Sequence, residues 1–172
     1  MQQTWIRKLT LCAAVAAIYA VVTILTASFA YGPVQFRVAE ALCVLPLFLP
    51  FTSWGLVLGC LIANLFSTVS ALDIVIGTLA TAAGCWMLCR CRKSWMAVLA
   101  PVICNGILVG AMLAWVLFPQ DLLRGFVICG AEVAAGELAV MLLLGLPLIY
   151  LFRRTHALDR WQSLNSPRLV ES

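Results

Sequence analysis

The sequence predicts an all-α, polytopic membrane protein of six transmembrane helices with both termini in the cytoplasm. Three observations carry that prediction. Of the 172 residues, 64% are hydrophobic and only 10% are charged, against about 45–50% and about 25% in a soluble domain. A chain of this length cannot hide so much apolar surface in a core of its own, so no soluble domain is expected beside the membrane part. The apolar residues fall into stretches that approach the roughly 20 helical residues needed to cross about 30 Å of hydrocarbon. The basic residues gather between those stretches, as Arg7/Lys8, Arg90/Arg92/Lys93 and Arg153/Arg154/Arg160/Arg168. A net charge of +4 distributed in this way reads as membrane topology rather than nucleic-acid binding.

The first stretch, 9–30, follows Arg7 and Lys8 and ends in "SFA", whose small Ser28 and Ala30 raise the question of signal cleavage. Its 22 residues exceed the roughly 7–15 of a signal-peptide core, so it is expected to be retained. The second, 39–51, is short and ends in the proline-punctuated "LPLFLPF". It is expected to be short, tilted or broken, which a membrane tolerates only where the segment packs on protein or a cavity. The remaining stretches are 54–71, 73–90, 97–118 and 126–151. Basic loops stay cytoplasmic, so an even number of crossings must separate the three basic clusters. Counting 39–51 as a crossing gives four and then two, and six satisfies the rule where five does not. The divisions are then a cytoplasmic N-terminus (1–8), a membrane domain (9–152) and a basic cytoplasmic tail (153–172).

This topology puts Arg37, Glu40, Asp73 and the Asp121/Arg124 pair at the outer face. Arg37 there defies the charge trend, and a site explains such a residue better than orientation does. Asn64 lies near the outer end of the third helix, and Asn105 lies in the fifth. Glu132 and Glu137 lie in the sixth. Ionisable groups inside spans face interiors and cavities and mark functional sites. Five residues apart on a helix, Glu132 and Glu137 point about 140° away from one another and are expected to do different jobs. Trp54, Trp86, Trp95 and Trp115 sit near span ends, where aromatic belts form; Trp115 has the alternative of stacking on a flat ligand.

Small residues recur. "AAVAAIYA" on the first helix sets Ala13/Ala17 and Ala16/Ala20 four apart, a strip on which another helix can approach closely. "VGAMLAW" (109–115) and "CGAEVAAGE" (129–137) offer similar surfaces around the polar residues, where a cavity for a flat ligand is expected. Eight cysteines fall mostly in apolar stretches. Cys89-Arg-Cys91 has no partner pair or nearby histidine for a zinc site, so the cysteines read as small hydrophobes.

No phosphate-cradling glycine loop occurs, so the chain itself is not expected to hydrolyse ATP. The single histidine, His156, lies in the tail, and every lysine is at a cytoplasmic end. With no nucleophile–base set near the polar residues, no catalytic residues, metal or cofactor are expected.

Five blocks, "YGPVQFRVAEALCVLPLF" (31–48), "GCLIANL" (59–65), "LDIVIGTLAT" (72–81), "APVICNGILVG" (100–110) and "GELAVMLLLGLPLIYL" (136–151), run in order across residues 10–152. Together they resemble the QueT family of substrate-binding (S) subunits of energy-coupling-factor transporters. The resemblance implies a six-helix S-subunit bundle in a prokaryotic cell membrane, binding a queuosine precursor similar to 7-aminomethyl-7-deazaguanine. It also implies a transmembrane coupling subunit and two ATPase subunits as partners, with Ala13, Ala17 and Ala20 contacting the coupling subunit.

The ligand's guanine-like edge suits a carboxylate acceptor, its amine a second acid, and its carbonyl a donor. The expected set is Glu137 on the purine edge, Asp73 or Glu132 near the amine and Asn105 donating, with Asn64, Phe36 and Trp115 around them. Arg37 and Glu40 either contact the ligand or pair with each other and hold the outer loop; both readings stay open. The alternative function is an autonomous proton-coupled carrier of a small nucleobase-like or cationic solute, suggested by the two intramembrane glutamates. Against it, no repeat relates 9–71 to 73–151.

Overall fold

The computed structural model describes residues 2–30, 35–67, 70–91 and 93–162. All the secondary structure in them is helical. α1 (Gln2–Leu25) is followed by one turn, α2 (Ala27–Ala30). Val38–Val44 wind as a 3₁₀ segment that passes into a single α turn, α3 (Leu45–Phe48). Then come α4 (Thr52–Asn64), α5 (Leu72–Cys91), α6 (Ser94–Leu117) and α7 (Leu122–Val140). α7 continues through a π-helical turn, Met141–Gly145, into α8 (Leu146–Thr155), and α9 (Asp159–Gln162) ends the described chain.

Four helical stretches are long and apolar enough to cross a membrane: Thr4–Leu25, Leu72–Arg90, Ser94–Leu117 and Leu122–Thr155. Large apolar side chains such as Ile18, Val21, Leu79, Ile107, Leu123 and Leu143 lie exposed around the bundle, as lipid-facing positions require. Five exposed tryptophans, including the four singled out above, join them. The second and third segments, Val38–Phe48 and Thr52–Asn64, are shorter. The expected helix 54–71 in fact stops at Asn64, because the chain turns there: the Ser67 amide bonds Asn64 O and the Asn64 side chain reaches across to α5. With 13 residues, α4 rises about 20 Å.

The 3₁₀ segment runs seven residues, beyond the three or four at which such helices usually stop. Its neighbours hold it. Ala39, Glu40, Ala41, Cys43 and Val44 are all buried, among side chains of α1, α4 and α5 such as Tyr19, Leu56 and Cys85. The broken segment thus packs on protein, as its backbone needs.

α1 and α4 meet at Gly55 and Gly59, a G-x-x-x-G spacing that permits near-backbone approach. A methyl group at Gly55 would lie 2.4 Å from Cys12 O, and one at Gly59 would lie 2.7 Å from Ala16 O. Ala16 and Ala20 are therefore buried in the bundle. Ala13 and Ala17 face outward, so Ala20 separates from them, and the outward strip is the Ala13/Ala17 pair. Gly55→Ala is expected to push α1 and α4 apart and to cost about 1–3 kcal/mol, read as a lower melting temperature in detergent; an unchanged melt contradicts this packing.

α6 and α7 also meet through glycine, where a methyl group at Gly110 would lie 2.6 Å from Gly130 Cα. The small residues of 109–115 and 129–137 thus close the two helices onto each other rather than opening a cavity for a flat ligand. The groove that remains beside Gly106, Gly130 and Ala134, about 310 Å³, is lined by apolar residues.

The Lys8 ammonium lies over the Phe51 ring, Ser53 touches Cys89, and Arg153 donates to Ser94 Oγ at 2.7 Å. These contacts gather the basic ends of α1, α5 and α8 at one end of the bundle. Arg92, Arg168 and most of the 31–37 loop lie outside the described residues.

Candidate functional site

The polar residues turn into the interior of the bundle. Among the described residues, Gln35, Arg37, Glu40, Asn64, Asp73, Asn105 and Glu137 are each no more than 2% exposed. The 3₁₀ segment and the loop before it bring Gln35, Arg37 and Glu40 into the middle. α4 and α5 supply Asn64 and Asp73, and α6 and α7 supply Asn105 and Glu137.

Arg37 pairs across the bundle with Asp73 rather than along the chain with Glu40. Its Nη2 donates to both Asp73 carboxylate oxygens, at 3.2 and 3.0 Å. Ser67 Oγ donates to the same carboxylate at 2.7 Å. Asn64 Nδ2 donates to Asp73 O at 3.1 Å and to Cys60 Sγ at 3.4 Å. A glycine makes room for this knot, since a methyl group at Gly77 would lie 2.7 Å from Asn64 Nδ2 and 2.8 Å from Asp73 Oδ1.

Glu40 is held separately. Its Oε1 accepts from the Tyr19 hydroxyl and from Thr81 Oγ1 at 3.2 Å; its Oε2 accepts from Cys43 Sγ at 2.8 Å. Three donors from α1, α5 and its own segment fix this carboxyl group. Thr81 also reaches Cys60, which joins the two knots into one network.

The third group is less complete. Asn105 Nδ2 donates to Glu137 Oε1 at 2.9 Å, so the amide expected to donate to a ligand donates to Glu137 instead. Glu137 Oε2 and Asn105 Oδ1 are buried without a hydrogen-bond partner, as are Asn64 Oδ1 and Gln35 Nε2. Buried polar atoms are nearly always satisfied, so each of these four calls for an explanation. Glu137 also lies within electrostatic reach of Glu40 and Arg37. The buried ionisable side chains of opposite sign are unequal in number: Glu40, Asp73 and Glu137 face the one guanidinium of Arg37.

The other expected residues lie apart from this centre. Glu132 is half-buried while Glu137 is fully buried, as their angular separation implies. Trp115 is 66% exposed, which suits an aromatic belt rather than stacking in the site. Phe36 is half-buried, its amide bonded to Phe29 O at 3.0 Å.

Gln35, Tyr19, Thr81 and Cys43 were not anticipated. Tyr19 had a signal, a hydroxyl in an apolar span that needs a partner, and Gln35 lay inside the most distinctive sequence block. Gln35 is held at φ 45°, with the Arg37 amide closing a three-residue turn onto Gln35 O. For a side chain other than glycine this left-handed backbone costs about 1–2 kcal/mol.

No metal-binding group of three or more His, Cys, Asp or Glu occurs among the described residues. In comparisons with known proteins, no curated protein and no solved structure matches the chain. The family model described as "QueT transporter" matches residues 9–154. A multi-pass bundle whose polar residues turn inward, matched over nearly its whole length by that model, belongs to the QueT transporter family.

Proposed function

We propose that this chain is the substrate-binding membrane subunit of an energy-coupling-factor importer, taking up a queuosine precursor of the 7-aminomethyl-7-deazaguanine type. It captures the precursor from outside a prokaryotic cell. A coupling subunit and two ATPase subunits then drive release inward, and this chain holds no cofactor. Family membership supports transport. The observation that supports the ligand is the unsatisfied acceptor pair, Glu137 Oε2 and Asn105 Oδ1. The N–H groups along one edge of a guanine-like ring are donors of the kind such a pair lacks, and a bond to a carboxylate is charge-assisted.

Charge supports the aminomethyl substituent. Among the described residues, three buried carboxyl groups outnumber the one buried guanidinium, so a cationic ligand has an acidic partner available to it. Six crossings with both termini in the cytoplasm accord with the basic ends of α1, α5 and α8 gathering at one end.

Calorimetry on the purified chain with 7-aminomethyl-7-deazaguanine, its 7-cyano analogue and guanine tests the proposal. The aminomethyl ligand is expected to bind tightest, in the nanomolar range, and the neutral pair more weakly by about tenfold or more, the scale of one charge-assisted contact. Uptake into proteoliposomes is expected only with the coupling subunit, the ATPases and ATP. Binding of none of the three ligands, or uptake by this chain alone under a pH gradient, overturns it.

A further inference from the structure

The proposed ligand has a carbonyl oxygen as well as N–H groups, and a dry site must offer that oxygen a donor. The side chains expected from sequence to donate each already have an acceptor. Asn105 Nδ2 donates to Glu137, Asn64 Nδ2 to Asp73 O and Cys60, and the Arg37 guanidinium to Asp73. Gln35 Nε2 is different: it is buried and has no acceptor, on a residue 2% exposed. It stands three positions before the 3₁₀ segment, which packs against α6 and α7.

The backbone points the same way. A glutamine held at φ 45° is a local strain that the surrounding fold must overcome, and such strain collects at ligand-binding positions. Glycine would relieve the strain, yet the position carries a long amide whose donor is left unsatisfied. An unsatisfied donor and a strained backbone on the same residue are two separate costs with no structural return in the described contacts.

We infer that Gln35 is the specificity-determining residue that reads the ligand's carbonyl oxygen, its Nε2 donating to that oxygen while Arg37 remains committed to Asp73. This rests on the deazaguanine reading above. Acceptors from α6 and α7 then take the ring N–H groups, and one amide donor from the segment before the 3₁₀ turn takes the neighbouring oxygen on the same edge.

The test compares 7-aminomethyl-7-deazaguanine with its 6-thio analogue, which keeps the ring N–H groups and exchanges the oxygen for a weak acceptor. Affinities are measured by calorimetry for the wild type, Gln35→Gly and Gln35→Glu. Glycine adopts the observed φ without strain, so the first variant is expected to fold; Gln35→Glu keeps the shape and exchanges the donor for an acceptor.

Wild type is expected to prefer the oxo ligand by about tenfold to a hundredfold, the range for one buried donor left unpaired. Gln35→Gly is expected to lose about that factor for the oxo ligand alone and so to lose the preference. Gln35→Glu is expected to weaken the oxo ligand further. Equal weakening of both ligands by Gln35→Gly, or none of either, overturns the role of Gln35 while leaving the deazaguanine reading intact. Failure of the wild type to bind either ligand removes the deazaguanine reading, and this inference with it.

Discussion

Asp73→Ala is expected to destabilise the protein by about 3–5 kcal/mol, the largest loss among single changes in the polar network. Asp73 is fully buried, accepts twice from Arg37 and once from Ser67, and sits in the first turn of α5. Removing the carboxylate leaves the Arg37 guanidinium in a low-dielectric interior without its ion-pair partner, and that loss dominates over the lost contacts themselves. The double change Arg37→Met/Asp73→Leu removes both charges, and buried pairs replaced by apolar residues often fold as well as the original. Its expected melting temperature in detergent is therefore well above that of Asp73→Ala alone. If the single variant melts with the wild type, or the double variant melts below the single, the Arg37–Asp73 pair does not hold the outer end of the bundle together.

That pair also shows where the sequence stops being informative. Composition and charge placement identify a polytopic helical membrane protein, and topology picks out Arg37, Glu40, Asn64, Asp73, Asn105, Glu132 and Glu137 as site candidates. All but Glu132 are buried, because an ionisable or amide group in a span has few tolerable alternatives. Partnership is another matter. Arg37 and Asp73 are 36 positions apart, and nothing in the spacing chooses Asp73 over the nearby Glu40. The choice is made by how far α5 rises beside the 3₁₀ segment, and by the glycine at position 77 that lets Asn64 and Asp73 close in.

The alanines of α1 teach the same lesson in packing. Two overlapping strips fitted the sequence equally well. Gly55 and Gly59, on a helix that shares no local pattern with α1, decide that Ala16 and Ala20 face inward. The outward face is then Ala13/Ala17, which is the strip left for a coupling subunit under the proposed function. Gln35 went unanticipated for a further reason: a polar residue in an outer loop is ordinarily solvated, and only the fold buries it.

Glu137→Gln is expected to separate binding from stability. Affinity for 7-aminomethyl-7-deazaguanine should fall by about 2–4 kcal/mol, or roughly thirtyfold to a thousandfold. The substituted side chain still offers a carbonyl oxygen to Asn105, so the 2.9 Å bond survives. What changes is Oε2, which becomes an amide donor facing the ligand's own N–H donors, and the charge that opposes the ligand's amine disappears. The fold has little reason to suffer. A carboxyl group 1% exposed with one oxygen unsatisfied is held against its desolvation cost, so a neutral isostere is expected to melt at the same temperature or higher. Stability retained or gained together with lost affinity is the pattern of a residue kept for ligand rather than for structure. The 7-cyano ligand, lacking the amine, should lose less than the aminomethyl ligand, and the difference measures the charge contribution alone. A variant that melts lower yet binds the aminomethyl ligand as tightly as the wild type would assign Glu137 to the scaffold and move the ligand elsewhere.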